Sequence, residues 1–149
     1  MVRLSDFALD MERVNQGTWV DWAKTGIRFR VRLADSRVGF RDRLLEGYRA
    51  HEGWRRENLS NLLASRWIVD SLVDDEREFW SALIAEELVT DWDGVDAEDG
   101  EGAESYTPDG LARRISTLAF RELFEFLLRV SLNSGLFRAK RAEAERGKP

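Results

Sequence analysis

The chain has 149 residues, a formal net charge of −5 and 43% hydrophobic residues, so one domain with a buried core is expected. It contains no cysteine, which excludes disulfides and cysteine-based zinc sites. The negative charge argues against general nucleic-acid binding, and the lack of an apolar leader or of an apolar run of about 18 to 20 residues predicts a soluble, intracellular protein without a membrane span.

The first predicted element is an extended or hairpin segment at residues 17–34. Its second half, "GIRFRVRLADS", alternates four apolar residues with three arginines: Ile27, Phe29, Val31 and Leu33 against Arg28, Arg30 and Arg32. A period of two is typical of a strand with one face on the core, so the arginines are expected on the other face. The preceding "GTWVDW" can pair with this strand through a turn near residues 23–26. Because a lone hairpin is marginally stable, it is expected to pack on helices.

Helical periodicity follows this segment. A first helix, which Asp35 or Ser36 can cap, a second apolar helix and a third helix that begins near Asp74 are predicted in turn. The acidic residues at Asp74 suit a helix N-terminus, where the helix dipole favours negative charge. Thr107 and Pro108 are a strong start signal for the last helical segment, because threonine caps a helix and proline fits its first position.

Together these segments predict a mainly α fold, a compact helical bundle with a short N-terminal β-hairpin or extended segment. Residues 1–137 are expected to form one mainly helical domain that includes the extended segment at 17–34 and an acidic loop at 91–106. Residues 138–149 are expected to form a charged flexible tail, because they hold too few apolar side chains to pack.

The acidic loop at 91–106 separates the third predicted helix from the last. Seven carboxylates fall between Asp91 and Glu104. A calcium loop needs oxygen ligands at fixed positions and a glycine at the sixth, and neither the register from Asp91 nor that from Asp96 supplies both. The stretch is therefore interpreted as a hydrated connector, in which Trp92 either docks back onto the fold or waits for a partner.

The chain offers no arrangement of residues that is typical of an enzyme. His51 is the only histidine, and its neighbours do not make an acid–base site. The serines lie outside any nucleophile-elbow context, and no phosphate-binding glycine loop is present. We expect a non-catalytic protein with no catalytic residue, no cofactor and no bound metal. A small metal-dependent enzyme that uses the acidic loop is the alternative from another class.

Aromatic and basic residues outside the helices are the candidates for a protein interface. Three of the six tryptophans lie in the predicted hairpin and acidic loop, where an exposed indole suggests an interface: Trp19, Trp22 and Trp92. The second group is the arginine face of the strand: Arg28, Arg30 and Arg32. This face can meet the acidic loop of the same chain or of a neighbour, or it can simply protect a solvated strand edge.

The order of these features along the chain resembles the order found in one known protein family. "GTWVDW" leads to the strand "IRFRVRLADS" and a run of helices, and "AEELVTDWDGVDAEDG" then joins a Trp-x-Gly turn to the acidic loop. "YTP" opens a last helical pair before a short charged tail. In this order the chain is similar to the tail assembly chaperones of long-tailed bacteriophages. The resemblance runs from about Gly17 to the end and is sharpest from Leu88 to Pro108.

The resemblance implies a mainly helical, non-catalytic protein that binds and solubilises the tape measure protein and helps to recruit tail tube protein during tail morphogenesis. The implied partners are the tape measure protein, the tail tube protein and further copies of the chain, with neither nucleic acid nor a membrane. The implied location is the cytoplasm of the bacterial host, and the protein would be missing from the mature virion. Another phage morphogenesis or structural component, such as a head–tail connector or a minor tail protein, is the alternative.

The C-terminal residues bear on the same resemblance. Many members of the family are made in two lengths by a −1 ribosomal frameshift near the end of the short reading frame. The ending "ERGKP" is compatible with a slippery codon sequence, so Gly147 and Lys148 are the candidate frameshift position and the chain would be the short product. The tripeptide Arg-Gly-Lys within this ending also arises freely in a basic tail.

Overall fold

The computed structural model describes residues 3–66 and 69–139. The helices are α1 (Met11–Gln16), α2 (Val38–Ala50), α3 (Arg56–Leu63), α4 (Asp74–Leu83), α5 (Pro108–Ile115) and α6 (Arg121–Ser131). Short 3-10 turns lie at Leu4–Phe7, Ala34–Ser36, Val69–Ser71, Leu118–Phe120 and Ser134–Phe137, and a π-helical segment, Ile84–Leu88, extends α4. The strands are β1 (Thr18–Asp21), β2 (Arg28–Val31) and β3 (Val89–Asp93). Gly147, Lys148 and most of the expected tail lie outside the described residues.

The three strands form one antiparallel sheet in the order β1-β2-β3. Thr18 lies opposite Val31 and Asp21 lies opposite Arg28, so the predicted hairpin is confirmed. The predicted alternation is confirmed too, because Phe29 and Val31 are buried while Arg28 is exposed. The sheet therefore has one face on the core and one face toward solvent.

The predicted mainly α bundle is wrong, because β3 adds a third strand and gives a mixed α/β fold. Helices of all kinds make up 59% of the structure and strands make up 13%, so the sheet is a layer of the fold and not a lone hairpin. The expected acidic loop at 91–106 also begins too early in the chain. Its first three residues, 91–93, belong to β3.

A bulge explains why the sequence does not reveal β3. The pairing passes from Arg30–Asp91 to Val31–Val89, which leaves Thr90 as an extra residue. The two buried residues of β3 therefore stand three positions apart along the chain, where a regular strand would place them two apart. In addition, the π-helical segment carries the helical pattern of apolar residues directly into the strand.

The core lies between the sheet and the helices α2, α4, α5 and α6. Its largest fully buried side chains include Trp80, Phe29, Phe124, Leu83 and Leu127. Among the described residues, no helix is both long and apolar enough to cross a bilayer.

The two ends of the described chain lie against each other. The N–H of Asp10 donates to the carbonyl of Phe137 at 2.7 Å, and the N–H of Ala139 donates to the carbonyl of Ala8 at 2.9 Å. The buried side chains of Val14 and Phe137 pack together beneath this pairing. The first residues of the expected tail are therefore paired with the N-terminal segment.

Two of the predicted helix starts have different outcomes. The start signal of α5 is confirmed, because the hydroxyl of Thr107 accepts the N–H of Gly110 at 3.0 Å and Pro108 is the first helical residue. The cap expected just before α2 is wrong, because a 3-10 turn occupies Ala34–Ser36 and α2 begins only at Val38.

A buried polar network joins α2, α3 and α4. The carboxyl group of Glu76, which is 1% exposed, accepts the hydroxyl of Tyr48 at 2.5 Å. It also accepts Nδ2 of Asn58 at 3.2 Å and the backbone N–H of Val73 at 3.3 Å. Nε1 of Trp80 donates to the Tyr48 hydroxyl at 2.8 Å. The network thereby satisfies polar groups whose burial without partners would be costly.

Alkaline unfolding is expected to expose both tyrosines at once. Burial is the main cause that raises the pKa of Tyr48 and of Tyr106, the two tyrosines of the chain, and the hydrogen bond to Glu76 adds to it for Tyr48. A raised folded-state pKa contributes stability that is complete below the unfolded tyrosine pKa of about 10 and is lost as the pH rises above it. Phenolate absorbance should therefore appear in one step with the loss of circular dichroism. A tyrosine that ionises near its ordinary pKa in the folded protein would contradict this expectation.

Candidate protein-interaction site

The solvent-facing side of the sheet carries two of the predicted arginines in two rows of side chains. Strand pairing places Trp19, Arg30 and Asp91 in one row and Asp21, Arg28 and Asp93 in the other. We call these six residues the outer face. Each arginine has an acidic residue on a neighbouring strand, and opposite charges at such positions stabilise a sheet.

The contacts of the outer face hold its side chains in place without burying them. Nη2 of Arg28 lies 3.2 Å from Oδ2 of Asp93, and its guanidinium carbon lies 4.9 Å from the ring centroid of Trp19. Nε of Arg30 donates to the carbonyl of Gly17 at 3.4 Å. Trp19 stays 36% exposed. Arg28 and Asp93 thus form an ion pair within the same chain. Because exposed ion pairs stabilise a fold weakly, the side chains of the outer face remain available to a partner.

Arg32, the third predicted arginine, lies apart from the outer face. It follows the end of β2, and its backbone N–H donates to the carbonyl of Leu88 at 2.7 Å. Burial is the main cause that lowers the pKa of Arg32, and the charge of Arg37 lowers it further. Among the described residues, Nε of Arg32 has no hydrogen-bond partner. The expected arginine face therefore consists of two residues and not three.

Two of the three candidate tryptophans pack against the core. Trp92 is 6% exposed, and its Nε1 donates to the carbonyl of Glu104 at 2.7 Å. Its ring meets Phe29 and Tyr106 edge-on, with centroids 6.4 Å and 5.0 Å away. Trp22 is half-buried and meets Phe29 edge-on at 6.4 Å. Trp92 therefore docks back onto the fold and does not form the exposed interface that its position in the sequence suggested.

The acidic residues beyond β3 form a folded loop between β3 and α5. The N–H of Glu104 donates to the carbonyl of Val95 at 2.8 Å, which closes the loop on itself. Nη1 of Arg114, on α5, lies 2.7 Å from Oε2 of Glu104 and 3.8 Å from Oε1 of Glu98. The hydrogen bond from Arg114 is the main cause that lowers the pKa of Glu104. Within residues 3–66 and 69–139, no group of three or more potential ligands is arranged to hold a metal ion.

Gly94 gives the Trp-x-Gly turn its shape. Its φ is +82°, and a Cβ atom at this position would lie 2.7 Å from the carbonyl oxygen of Gly26. Both the positive φ and the close approach favour glycine. The turn brings the end of β3 against the turn of the hairpin, just after Trp92 has entered the core.

His51 has a packing role at the end of α2. Its ring stacks on that of Trp54 with centroids 3.9 Å apart, and its Nδ1 lies 2.9 Å from the carbonyl of Gly47. Nε1 of Trp54 donates to Oδ1 of Asp75 at 3.1 Å. These contacts hold the end of α2 against the start of α4, beside a cleft of about 600 Å³.

At the β3 edge of the sheet, a side chain of the same strand binds an outward-pointing backbone N–H group. The backbone groups of Arg28 and Arg30 point toward β3 and pair with Asp93 and Asp91, so the N–H of Trp92 points away from β2. This N–H donates to Oδ1 of Asp91 at 2.9 Å. A further strand would have to displace that contact before it could pair there.

The β1 edge of the sheet is open as far as residues 3–66 and 69–139 are concerned. The N–H of Trp22 donates to the carbonyl of Ile27 at 2.9 Å, and the hydrogen-bonding direction alternates along an antiparallel strand. The N–H and C=O groups of Trp19 and Asp21 therefore point away from β2. In the part of the chain that the structure describes, no backbone group of another element binds them.

A cleft of about 320 Å³ lies between this open edge and α6. It is lined by all of β1 and by Phe126, Val130 and Leu136. Because α6 packs beside β2, the cleft is the place where a fourth strand next to β1 would lie over α6. We call it the edge cleft.

From the sequence, the last long helix is expected to be central, because its apolar residues cover more than half of its circumference. That is more apolar surface than one packed face requires. Part of that surface therefore had to remain near solvent. Phe126 belongs to this part of the helix surface: it is half-buried and lines the edge cleft.

The candidate site thus consists of the outer face and the edge cleft, which share β1. Trp19 belongs to both. Comparison of the chain with protein-family models, with curated proteins and with solved structures finds no match that could assign it to a family.

Proposed function

We propose that the chain is a tail assembly chaperone of a long-tailed bacteriophage, which binds and solubilises the tape measure protein and helps to recruit tail tube protein without catalysis. The observation that carries this proposal is the segment from Leu88 to Pro108, where the sequence resemblance is sharpest. This segment forms one packed unit of β3, the folded acidic loop and the capped start of α5. Within it, Trp92 and Gly94 have the specific packing and turn roles described above.

The outer face is the surface that we assign to the tape measure protein. The resemblance implies a long, mostly helical partner that aggregates by itself, and such a partner needs apolar and charged contacts together. Tryptophan and arginine dominate the binding energy of many interfaces, and Trp19, Arg28 and Arg30 supply both types here. The acidic residues of the same face would form ion pairs with basic side chains of the partner: Asp21, Asp91 and Asp93.

A tape measure fragment co-expressed with the chain is expected to stay in solution and to sediment as a complex with it. Trp19→Ala should weaken that complex by about tenfold or more, as expected for an aromatic anchor. Leu45→Ala is the matched control, because Leu45 is an exposed apolar residue on α2, away from both parts of the candidate site. A fragment that aggregates equally with and without the chain would remove the proposal.

The proposed place of action is the cytoplasm of the bacterial host, before the virion is complete. Mass spectrometry of purified virions separates this role from its alternative. A chaperone should be missing from them, whereas stoichiometric amounts of the chain would identify a structural component such as a head–tail connector or a minor tail protein.

A further inference from the structure

We propose that two copies of the chain pair through their β1 edges, antiparallel, to form one continuous six-stranded sheet. The proposal rests on the open backbone groups of Trp19 and Asp21 and on the edge cleft beside them, which Phe126 and Val130 line with apolar side chains. It goes beyond the chaperone role and does not depend on it, because it concerns only how this edge is covered.

One register of self-pairing fits the strand. When two β1 strands run antiparallel about Val20, Trp19 of each copy lies opposite Asp21 of the other, and both pairs exchange two N–H···O=C bonds. A pairing centred on Asp21 would place two carboxylates opposite each other, which is unfavourable. A pairing centred on Trp19 would need Gly17 as strand, and its φ of +104° lies outside the strand region.

The charges of the outer face also fit a second copy. In this register the row Asp93, Arg28 and Asp21 of one copy continues into Trp19, Arg30 and Asp91 of the other. No two like charges become neighbours along the six strands. Asp21, which lies at the open end of its row, meets an indole and not another carboxylate.

The core side of the pairing covers the edge cleft. Val20 faces the core side together with Phe29, so the two Val20 side chains would lie opposite each other above the cleft. They would bring apolar surface onto Phe126 and Val130, which line the cleft. The same contact thereby satisfies the open edge and covers the apolar surface next to it. It is a closed two-fold contact, which leaves no further β1 edge for another copy.

The other strand edge is a poorer partner for β1. At β3 the outward N–H of Trp92 is already bound by Asp91. The N-terminal segment is paired with residues 137–139. A second β1 edge is therefore the self-complementary partner that the described part of the chain offers.

The test uses Asp21→Pro with Asp21→Asn as its control. Proline removes the outward N–H of this edge residue and leaves the β1–β2 hydrogen bonds intact, whereas asparagine keeps the backbone unchanged. Sedimentation equilibrium should give twice the 17.2 kDa chain mass for the wild-type protein and for Asp21→Asn. Asp21→Pro should raise the dimer dissociation constant by about tenfold or more, because it removes two of the four new hydrogen bonds.

A disulfide experiment tests the register independently of how Asp21→Pro folds. The chain lacks cysteine, so Val20→Cys places a single thiol where the two copies would meet, and facing Cβ atoms of such a pair lie close enough for a disulfide. Mild oxidation should link the two Val20→Cys copies quickly through a disulfide, while the Leu45→Cys copies should cross-link far more slowly under the same conditions. A monomeric wild-type chain, or Val20→Cys that links no faster than the control, would overturn the proposal.

Discussion

Replacing Glu76 by alanine is expected to lower the free energy of unfolding by about 3 kcal/mol. The substitution leaves the buried Tyr48 hydroxyl and the half-buried Asn58 amide without their acceptor. It also removes the acceptor of the Val73 N–H at the start of α4. An unpaired buried group costs more than a net hydrogen bond contributes, so the losses add to a large part of a typical domain stability. Urea unfolding followed by tryptophan fluorescence measures the effect.

Glu76→Gln is the matched control for this experiment. It keeps the shape of the side chain, but its NH₂ group presents donors to partners that are themselves donors. The expected loss is about half that of the alanine variant, because one acceptor oxygen remains. Tyr48→Phe should show coupling with Glu76→Ala in a double-mutant cycle, since the two side chains share one hydrogen bond. Values within about 0.5 kcal/mol of the wild type for both Glu76 variants would contradict the network.

The hairpin was predictable because everything that defines it is local. The period of two in β2 identifies its core face, and the turn connects it to β1 within a few residues. β3 was not predictable in the same way, because its partner in the sheet lies about 60 residues earlier in the chain and its own pattern is interrupted at Thr90. The wrong fold class follows from this one strand, since the helices around it were largely recognised.

The candidate site was predictable only where the strand pattern fixes the direction of a side chain. Arg28 and Arg30 lie inside the ladder, so alternation places them on the outer face. Arg32 lies past the end of β2, where the strand alternation no longer determines the direction of a side chain, and its side chain is partly buried. For a tryptophan outside the helices, the sequence pattern allows both burial and exposure. Tertiary contacts decide between them, and they separate Trp92 from Trp19.

Trp92→Ala is expected to lower the free energy of unfolding by about 4 kcal/mol, as is typical for a large aromatic residue removed from a core. The indole fills the space between Phe29 and Tyr106, and its N–H binds the carbonyl of Glu104. The guanidinium carbon of Arg114 lies 5.2 Å from the ring centroid. Thermal and urea unfolding measure the loss, and Trp92→Phe should recover more than half of it, because a ring remains while the N–H is gone.

Substitutions of Trp92 and of Trp19 should therefore have opposite effects: the first should affect mainly stability and the second mainly binding. Trp19→Ala removes an indole that is 36% exposed, so it is expected to change stability by less than about 1 kcal/mol while it weakens binding of the tape measure fragment. Trp92→Phe should leave that binding close to the wild-type value, because Trp92 does not reach the outer face. A Trp92→Phe protein that is fully folded but has lost the complex would show that the folded acidic loop, and not the sheet, contacts the partner.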